Sequence, residues 1–404
     1  VPHILLGVTG SIAAYKAPYI VRALQKAGYT VTVILTRAAR EFVSPLTLET
    51  LARGGVLADL WSTKGSGTTP GEWTQHIALA QKADILLIAP ATAHTIAKLA
   101  NGSCDDLLSA IFLATRKPVL IAPAMEGNMY RHPITQKNLA TLQKLPWVSI
   151  IPPGRGFLAS GAHDIGRLAS IRRILLAVER AVSPPLLQGK KVLITLGATR
   201  ERWDAVRFLS NYSTGRMGLA LAEAAYTLGA AEVHLLAAHT EVPLPKGVFR
   251  ITPTPTAAAM LAAFQQVYSN YDWLIFAAAV SDYTFPESLP HKVKKSQEGL
   301  TLSLVPAPDI LSWASQHRLP HQVLIGFALE GTGEEKAAQD KLLRKGADWL
   351  AFNEISPHTG MGTPTNAITL LSRWGHRKEL ALAPKPQIAR EMLIFIAHEM
   401  GTQP

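Results

Sequence analysis

Short apolar runs that end at glycine or small polar residues, alternating with stretches of helical period, constrain this chain more than any other feature. His3 to Gly7 is one such run; a helix-like stretch from Ile12 to Ala27 and a second run from Thr30 to Thr36 follow it. That order is a β-α-β unit. Further runs at Ile85 to Ala89, Val119 to Ala122 and Trp147 to Ile151 alternate with helical segments in the same way. Short, uniformly apolar strands separated by helices are accommodated most simply by a parallel sheet covered on both faces.

The pattern starts afresh near the middle of the chain. A helical stretch from Ser170 to Val182 meets Ser183-Pro184-Pro185, and a new apolar run opens at Lys191 to Thr195, which places a boundary between Val182 and Gly189. Val233 to Ala237, Trp273 to Ala277, Val323 to Phe327 and Trp349 to Phe352 then read as buried strands, with helix-forming stretches at Ala257 to Ser269 and Glu334 to Lys345. At 404 residues the chain exceeds the roughly 100–200 residues of one compact domain. The expectation is two doubly wound, Rossmann-like α/β domains in tandem, residues 1–182 and 189–404. Tyr283 to Leu300, with its Pro, Lys and Ser content, reads as a long surface loop of the kind that usually serves function.

Composition narrows the class. With 48% hydrophobic and 17% charged residues, disorder, collagen-like repeats and coiled coil are excluded. The single cysteine, Cys104, can form neither an internal disulfide nor a zinc cluster and reads as a buried structural residue in a reducing compartment. Apolar runs such as Trp273 to Val280 fall far short of the roughly 18–20 residues that span a bilayer. The start VPHILLGVTG shows no basic leader or small-residue cleavage site, so the expected location is cytoplasmic. Lys and Arg outnumber Asp and Glu by 40 to 29, with 19 against 10 before Leu186 and 21 against 19 after it. Such a balance attracts anions. No helix-turn-helix, zinc-finger or aromatic-basic pattern accompanies it, which favours small phosphorylated ligands over nucleic acid or a membrane.

In GVTGSIAAYK, Gly7 to Lys16, glycines allow a tight turn after the first strand, and Ser11 stands where the helix begins. The free N–H groups and dipole of that end form an anion site. Polar landmarks recur at the other predicted strand ends: Thr36, then Pro90 to Thr95, then Pro123-Ala124-Met125. Side chains at the carboxyl ends of parallel strands converge on one crevice. His76 is an imidazole able to bind or shuttle a proton beside a carboxylate substrate; His94 and His163 read as structural.

GVTGSIAAYK, PATAHTIAKLANGSCDDLLS and PAMEGNMY, in this order, resemble the flavin-binding cysteine decarboxylases. With the second half, essentially the whole chain resembles the bifunctional phosphopantothenoylcysteine decarboxylase/phosphopantothenate-cysteine ligase family of coenzyme A synthesis. The resemblance implies FMN, held by Gly10, Ser11, Ile12, Thr36, Thr92 and Thr95, with His76 as the active-site histidine. Two positions depart from the family. Glu126 stands where the family has an asparagine for the substrate carboxylate, with Asn128 two residues on. Ser160, in GFLASGAHDIGR, stands where a flap cysteine supplies the proton that completes reduction of the enethiol intermediate. A serine hydroxyl is far less acidic than a thiol.

GATRERWDAVRFLSNYSTGRMG, Gly197 to Gly218, combines a glycine-ended strand, several arginines and a Ser-Thr-Gly run into a helix. Helix-start N–H groups with Arg207 suit a phosphate and a carboxylate. This segment resembles the ligase signature, which gives Asn211 the acyl-cytidylate intermediate with Arg207 nearby. AAAVSDY resembles the nucleotide-contacting AAAVADY, with Ala277, Ala278, Ala279 and Asp282. In HKVKKS, Lys292 takes the place of the lysine that stabilises charge as the carboxylate attacks the α-phosphorus. Ala307-Pro308-Asp309-Ile310 resembles the family's NPDI, with alanine for asparagine, and Phe327 falls at the base pocket. Lys341 and Lys345, one helical turn apart, can both reach a triphosphate. FNEIS, Phe352 to Ser356, stands for ANDVS.

The resemblance implies CTP-dependent joining of 4′-phosphopantothenate to cysteine through an acyl cytidylate, with Mg²⁺ or Mn²⁺ on the triphosphate. FMN-dependent decarboxylation to 4′-phosphopantetheine follows. It also implies a homo-oligomer built from trimers of the first domain and dimers of the second, up to a dodecamer. Two alternatives stay open at this level: an active ligase with an impaired or scaffolding flavin domain, and a flavin-binding regulatory subunit without turnover.

Overall fold

The computed structural model describes residues 1–58, 74–295, 299–330, 335–354 and 359–401. The chain forms two compact units, Val1–Val182 and Ser183–Pro404. In the first, strands β1 (His3–Val8), β2 (Thr30–Leu35), β3 (Val56–Leu57), β4 (Ile85–Ala91), β5 (Val119–Pro123) and β6 (Val148–Ile150) pair in the order β3-β2-β1-β4-β5-β6. All the pairings are parallel. Ile4, Leu5 and Leu6 are fully buried because helices cover both faces. One core layer collects β1, β2 and helices α1 (Ala17–Lys26), α2 (Pro45–Leu51) and α8 (Ile171–Val182). The other lies under α3 (Gln75–Lys82), α4 (Ala93–Ala100), α5 (Leu107–Ala114) and α7 (Pro133–Gln143), with the short α6 (Gly127–Arg131) before α7.

Two local features differ from the sequence expectation. The stretch read as one helix from Ile12 is a 3-10 turn, Ile12–Lys16, before α1. Pro18 lacks an N–H and belongs in a first helical turn, so the α-helix starts at Ala17. GFLASGAHDIGR folds as an antiparallel hairpin, β7 (Gly154–Phe157) and β8 (His163–Arg167).

The second unit repeats the plan with β9 (Lys191–Leu196), β12 (Glu232–Ala237), β13 (Arg250–Pro253), β14 (Trp273–Phe276), β17 (Val323–Glu330) and β18 (Trp349–Glu354). Its order is β13-β12-β9-β14-β17-β18, parallel throughout, and then β19 (Thr365–Ser372) and β20 (Arg377–Pro384) extend it antiparallel. Those last two strands are absent from the sequence reading. Two-stranded ribbons, β10 (Arg200–Arg202) with β11 (Phe208–Ser210) and β15 (Tyr283–Thr284) with β16 (Val305–Pro306), stand outside the sheet. The second of these ribbons bounds the segment read as a long loop. Helices α9 (Arg216–Thr227) and α13 (Lys385–Gly401) share one core layer, in which Leu221, Ile388 and Met392 are fully buried. Helices α10 (Ala257–Val267), α11 (Ile310–His317) and α12 (Glu335–Lys345) complete the unit. Among the described residues no helix is long and apolar enough to cross a membrane.

His234 on β12 is fully buried, its ring nitrogens 2.8 Å from the Tyr271 hydroxyl and 2.8 Å from Thr252 Oγ1. Burial, with Arg250 adding, lowers its pKa below the ordinary 6.5. The unfolded imidazole takes up a proton near that value while the folded one refuses it. The contribution of neutral His234 is therefore complete well above pH 6.5 and declines as the pH falls through it. Urea midpoints of wild type and His234→Gln, compared between about pH 7.5 and 5.5, are expected to show a shallower acid decline in the variant. Equal slopes would remove His234 as the cause.

Candidate active sites

In the first unit the strand order reverses between β1 and β4, and a cleft of about 930 Å³ opens at their carboxyl ends. Gly10, Ser11, Thr36, Thr92 and Thr95 all line it. Ser11 caps the 3-10 turn, its Oγ accepting the Ala13 N–H at 3.2 Å. Thr36 donates to the Val8 carbonyl at 3.2 Å and makes no side-chain bond to the turn it precedes. Thr92 caps α4 by accepting the Thr95 N–H at 3.2 Å and donates to Thr95 Oγ1 at 3.1 Å. Thr9, unremarked in the sequence, ties the two loops at the reversal. It donates to the Pro90 carbonyl at 2.7 Å and accepts the Thr92 N–H at 3.0 Å.

Lys98, also at this cleft, holds Asp105 and Asp106, each at 2.5 Å. Burial alone would lower the Lys98 pKa, but the two carboxylates outweigh it and raise it. Cys104, beside them, is exposed and not buried as the sequence reading expects, because it lies in the loop before α5 rather than in its core-facing turn.

A second cleft of about 640 Å³ shares Ser11, Ala124 and Met125 with the first and is lined by Ile12, Glu126 and Ser160. Ser160 is exposed on the turn between β7 and β8. Glu126 turns its carboxylate onto the start of α6, where Oε2 accepts the N–H groups of Asn128 at 2.7 Å and Met129 at 3.3 Å. Arg131, on the same helix, makes a paired bond to Asp164 of β8 at 2.9 and 2.7 Å and so fastens the hairpin to α6. The paired bond, first of all, holds the Asp164 carboxyl down at about 2. His76, in the first turn of α3, lines neither cleft.

In the second unit the same reversal, between β9 and β14, places a cleft of about 550 Å³. It brings together Asn211, Ala277, Ala279, Asp282, Pro308, Asp309, Ile310, Phe327, Lys341 and Lys345 from segments far apart in sequence. Gly215, at φ 78°, caps α9 in a left-handed conformation that favours glycine. Gly218 lets that helix lie against β9, since an added Cβ would stand 2.4 Å from Leu196 Cβ. Asn211 Nδ2 donates to the carbonyls of Ala279 at 3.2 Å and Val280 at 3.4 Å, which knits two of the motifs into one wall. The Ala307 N–H donates to the Asp282 carbonyl at 2.9 Å, so the turn before α11 keeps its form without an asparagine. Asp309 caps α11 and pairs with Lys345. Burial would raise its carboxyl pKa, but Lys345 and Ser312 outweigh that and lower it.

Four of the sequence-derived residues lie elsewhere. Ala278 packs into the core. Phe352, in place of alanine, is buried in a separate core cluster, while Ile355 and Ser356 of the same motif lie outside the described residues. Arg207 does not line the cleft. Its guanidinium pairs with the buried Asp204, stacks 3.9 Å over Trp203 and donates to the Val293 carbonyl at 2.8 Å. Asp204 also accepts the Val293 N–H at 3.0 Å, and Arg207, before the other hydrogen bonds it accepts, holds its carboxyl far below the carboxylate range. Lys292, exposed and adjacent to Val293, thus sits on a loop anchored by the Asp204–Arg207 pair. Asn366 and Lys385, which no sequence motif marks, also line the cleft, and Arg216 of the arginine-bearing Gly197–Gly218 segment joins them there.

Residues 1–183 match the Flavoprotein family, and residues 187–400 match the DNA/pantothenate metabolism flavoprotein C-terminal domain. The coenzyme A biosynthesis bifunctional protein CoaBC of Bacillus subtilis (strain 168) is 40% identical over 98% of this chain and 96% of its own. That of Haemophilus influenzae (strain ATCC 51907 / DSM 11121 / KW20 / Rd) is 39% identical over 97% of this chain and 96% of its own. A cysteine/cysteine sulfinic acid decarboxylase from an unknown prokaryotic organism is 37% identical over 87% of this chain and 98% of its own. Motif order, paired clefts and full-length similarity together make this chain a member of the bifunctional coenzyme A biosynthesis family.

Proposed function

We propose that the two units catalyse consecutive steps of coenzyme A biosynthesis, the second as a CTP-dependent phosphopantothenate-cysteine ligase and the first as an FMN-dependent phosphopantothenoylcysteine decarboxylase. The observation that carries this reading is the convergence of ten motif residues, spread from Asn211 to Lys345, on one cleft in the second unit. In the ligase step Phe327, Ala277 and Ala279 border the base, and Lys341 and Lys345 meet the phosphates. A divalent cation brought by the triphosphate would offset part of its charge there. Lys292, carried on its anchored loop, reaches the α-phosphorus as the 4′-phosphopantothenate carboxylate attacks. Asn211 holds the acyl cytidylate until the cysteine amine displaces CMP.

The first cleft fits FMN. Hydroxyls of Ser11 and Thr36 stand at the ends of β1 and β2 beside helix-start N–H groups, an arrangement suited to a phosphate. Bound there, FMN supplies the two-electron chemistry of oxidative decarboxylation. Lys16 and Arg167 border the adjoining cleft and attract the acidic substrate. His76 moves a proton in this step. Its position outside both clefts of its own chain supports the homo-oligomer that the family resemblance implies, with the site completed by a neighbouring copy. Ser160 takes the hairpin position of a proton donor, and its hydroxyl is poorly matched to that task at neutral pH.

Lys292→Gln and Asn211→Asp are each expected to slow CMP release in the presence of cysteine by about 10²-fold or more, the scale of losing a positioned electrostatic group. Rates at the wild-type level would sink both assignments, and equal use of ATP and CTP would contradict the nucleotide assignment. The purified chain is expected to be yellow, and Ser11→Ala combined with Thr36→Ala to weaken FMN retention in dialysis; a protein that takes up no FMN refutes the first-unit reading.

With 4′-phosphopantothenoylcysteine as substrate, mass spectrometry is expected to find the unsaturated enethiol product in excess over 4′-phosphopantetheine. Ser160→Cys with Glu126→Asn shifts that ratio toward 4′-phosphopantetheine. Efficient multiple turnover to 4′-phosphopantetheine by the wild type would show that another group donates the proton.

A further inference from the structure

We propose that Lys385 is an anion-binding residue of the second unit's cleft, which takes the terminal phosphoryl groups of the nucleoside triphosphate bound there. The inference rests on the reading of that cleft as a CTP site and adds a residue that no sequence motif marks.

Lys385 is the first residue of α13, only 5% exposed, and it lines the cleft. An ammonium group carries three donors. One is spent on the Gly360 carbonyl at 2.9 Å. Among the described residues no carboxylate stands within ion-pair distance of it. A buried cation without a counter-charge is costly, and loss of its charge is the usual escape. Burial, with Arg216 adding, does lower this ammonium to about 8.

Its surroundings point to what compensates the charge. Arg216 opens α9 in the same cleft, and the Gly215 cap gives that helix start no side-chain acceptor. Helix-start N–H groups, a guanidinium and a buried ammonium with donors to spare all call for one ligand that brings several oxygens and negative charge. Lys345, which also meets the phosphates, brings Asp309 with it and so adds little net positive charge to the cleft. A nucleobase or ribose brings no charge, and the α-phosphoryl group is the one that Lys292 approaches. The terminal phosphoryl groups remain as the partner of Lys385.

Calorimetric titration of the full chain with CTP and with CMP separates the possibilities. Lys385→Gln keeps a donor for the Gly360 carbonyl but removes the charge. It is expected to weaken CTP binding by about 10- to 100-fold, the scale of a hydrogen bond to a charged group, while CMP binding stays at the wild-type level. Ligand-free Lys385→Met, which replaces the buried charge with a similar apolar volume, is expected to melt at or above the wild-type temperature and to lose most of the stabilisation by CTP. Unchanged CTP affinity in Lys385→Gln, or an equal loss for CTP and CMP, overturns the proposal. A wild-type chain that binds neither nucleotide instead overturns the ligase reading beneath it.

Discussion

A parallel sheet built outward in both directions from its first strand must send the loops after its two central strands to opposite faces, and the gap between those loops is where a ligand can enter. Both units obey this constraint, at β1 and β4 in the first and at β9 and β14 in the second. Everything functional follows from how the gap is held open. In the first unit Thr9 bridges the two loops through Pro90 and Thr92. In the second, Thr199 accepts the Ser281 N–H at 3.0 Å, its carbonyl receives the Ser210 hydroxyl at 2.7 Å, and its N–H reaches Ala279. One threonine after the first strand does the same mechanical task twice, on unrelated surroundings.

What the sequence revealed was local. Uniformly apolar runs and glycine turns mark central parallel strands because each such strand is buried on both faces, whatever its partners. The hairpin of β7 and β8 and the antiparallel pair β19 and β20 lack that signature. HDIGR and RKELALAP leave half or more of their residues partly or wholly exposed, so no apolar run betrays them. Site residues in glycine-rich or Asn-containing turns were legible for the same reason as the strands. Lys385 was not, because a lysine at a helix start reads as solvated until β20 and the turn at Gly360 close around it. Arg207 shows the opposite error. Several arginines near a glycine turn suggest an anion site, yet the pairing that occupies this one comes from Asp204, three residues earlier, whose burial is a tertiary fact.

The Asp204–Arg207 pair also anchors the exposed loop that carries Lys292. The pair grips both the N–H and the carbonyl of Val293, so the backbone next to Lys292 is held while the lysine side chain itself is exposed. On the proposed ligase reading, Arg207 is thereby a positioning residue for the Lys292 loop. Gly218 serves the same cleft from the other side, by letting the start of α9 approach β9 closely enough to share a wall with the loop after β14.

Glu126 tests whether a change of charge at a site must change its sign. Its carboxylate is satisfied by two helix-start N–H groups, so the residue fits α6 as well as an asparagine does. The adjoining Arg131 cannot cancel it, being committed through a paired bond to Asp164. Lys16 and Arg167, however, border the same cleft. Burial first, and then repulsion from Arg167, lowers the Lys16 ammonium. Two cations against one carboxylate that faces a helix leave the cleft attractive to an acidic substrate. On the proposed decarboxylase reading, the consequence of Glu126 is therefore one of placement, with the substrate carboxylate drawn toward Lys16 and Arg167 rather than toward the start of α6.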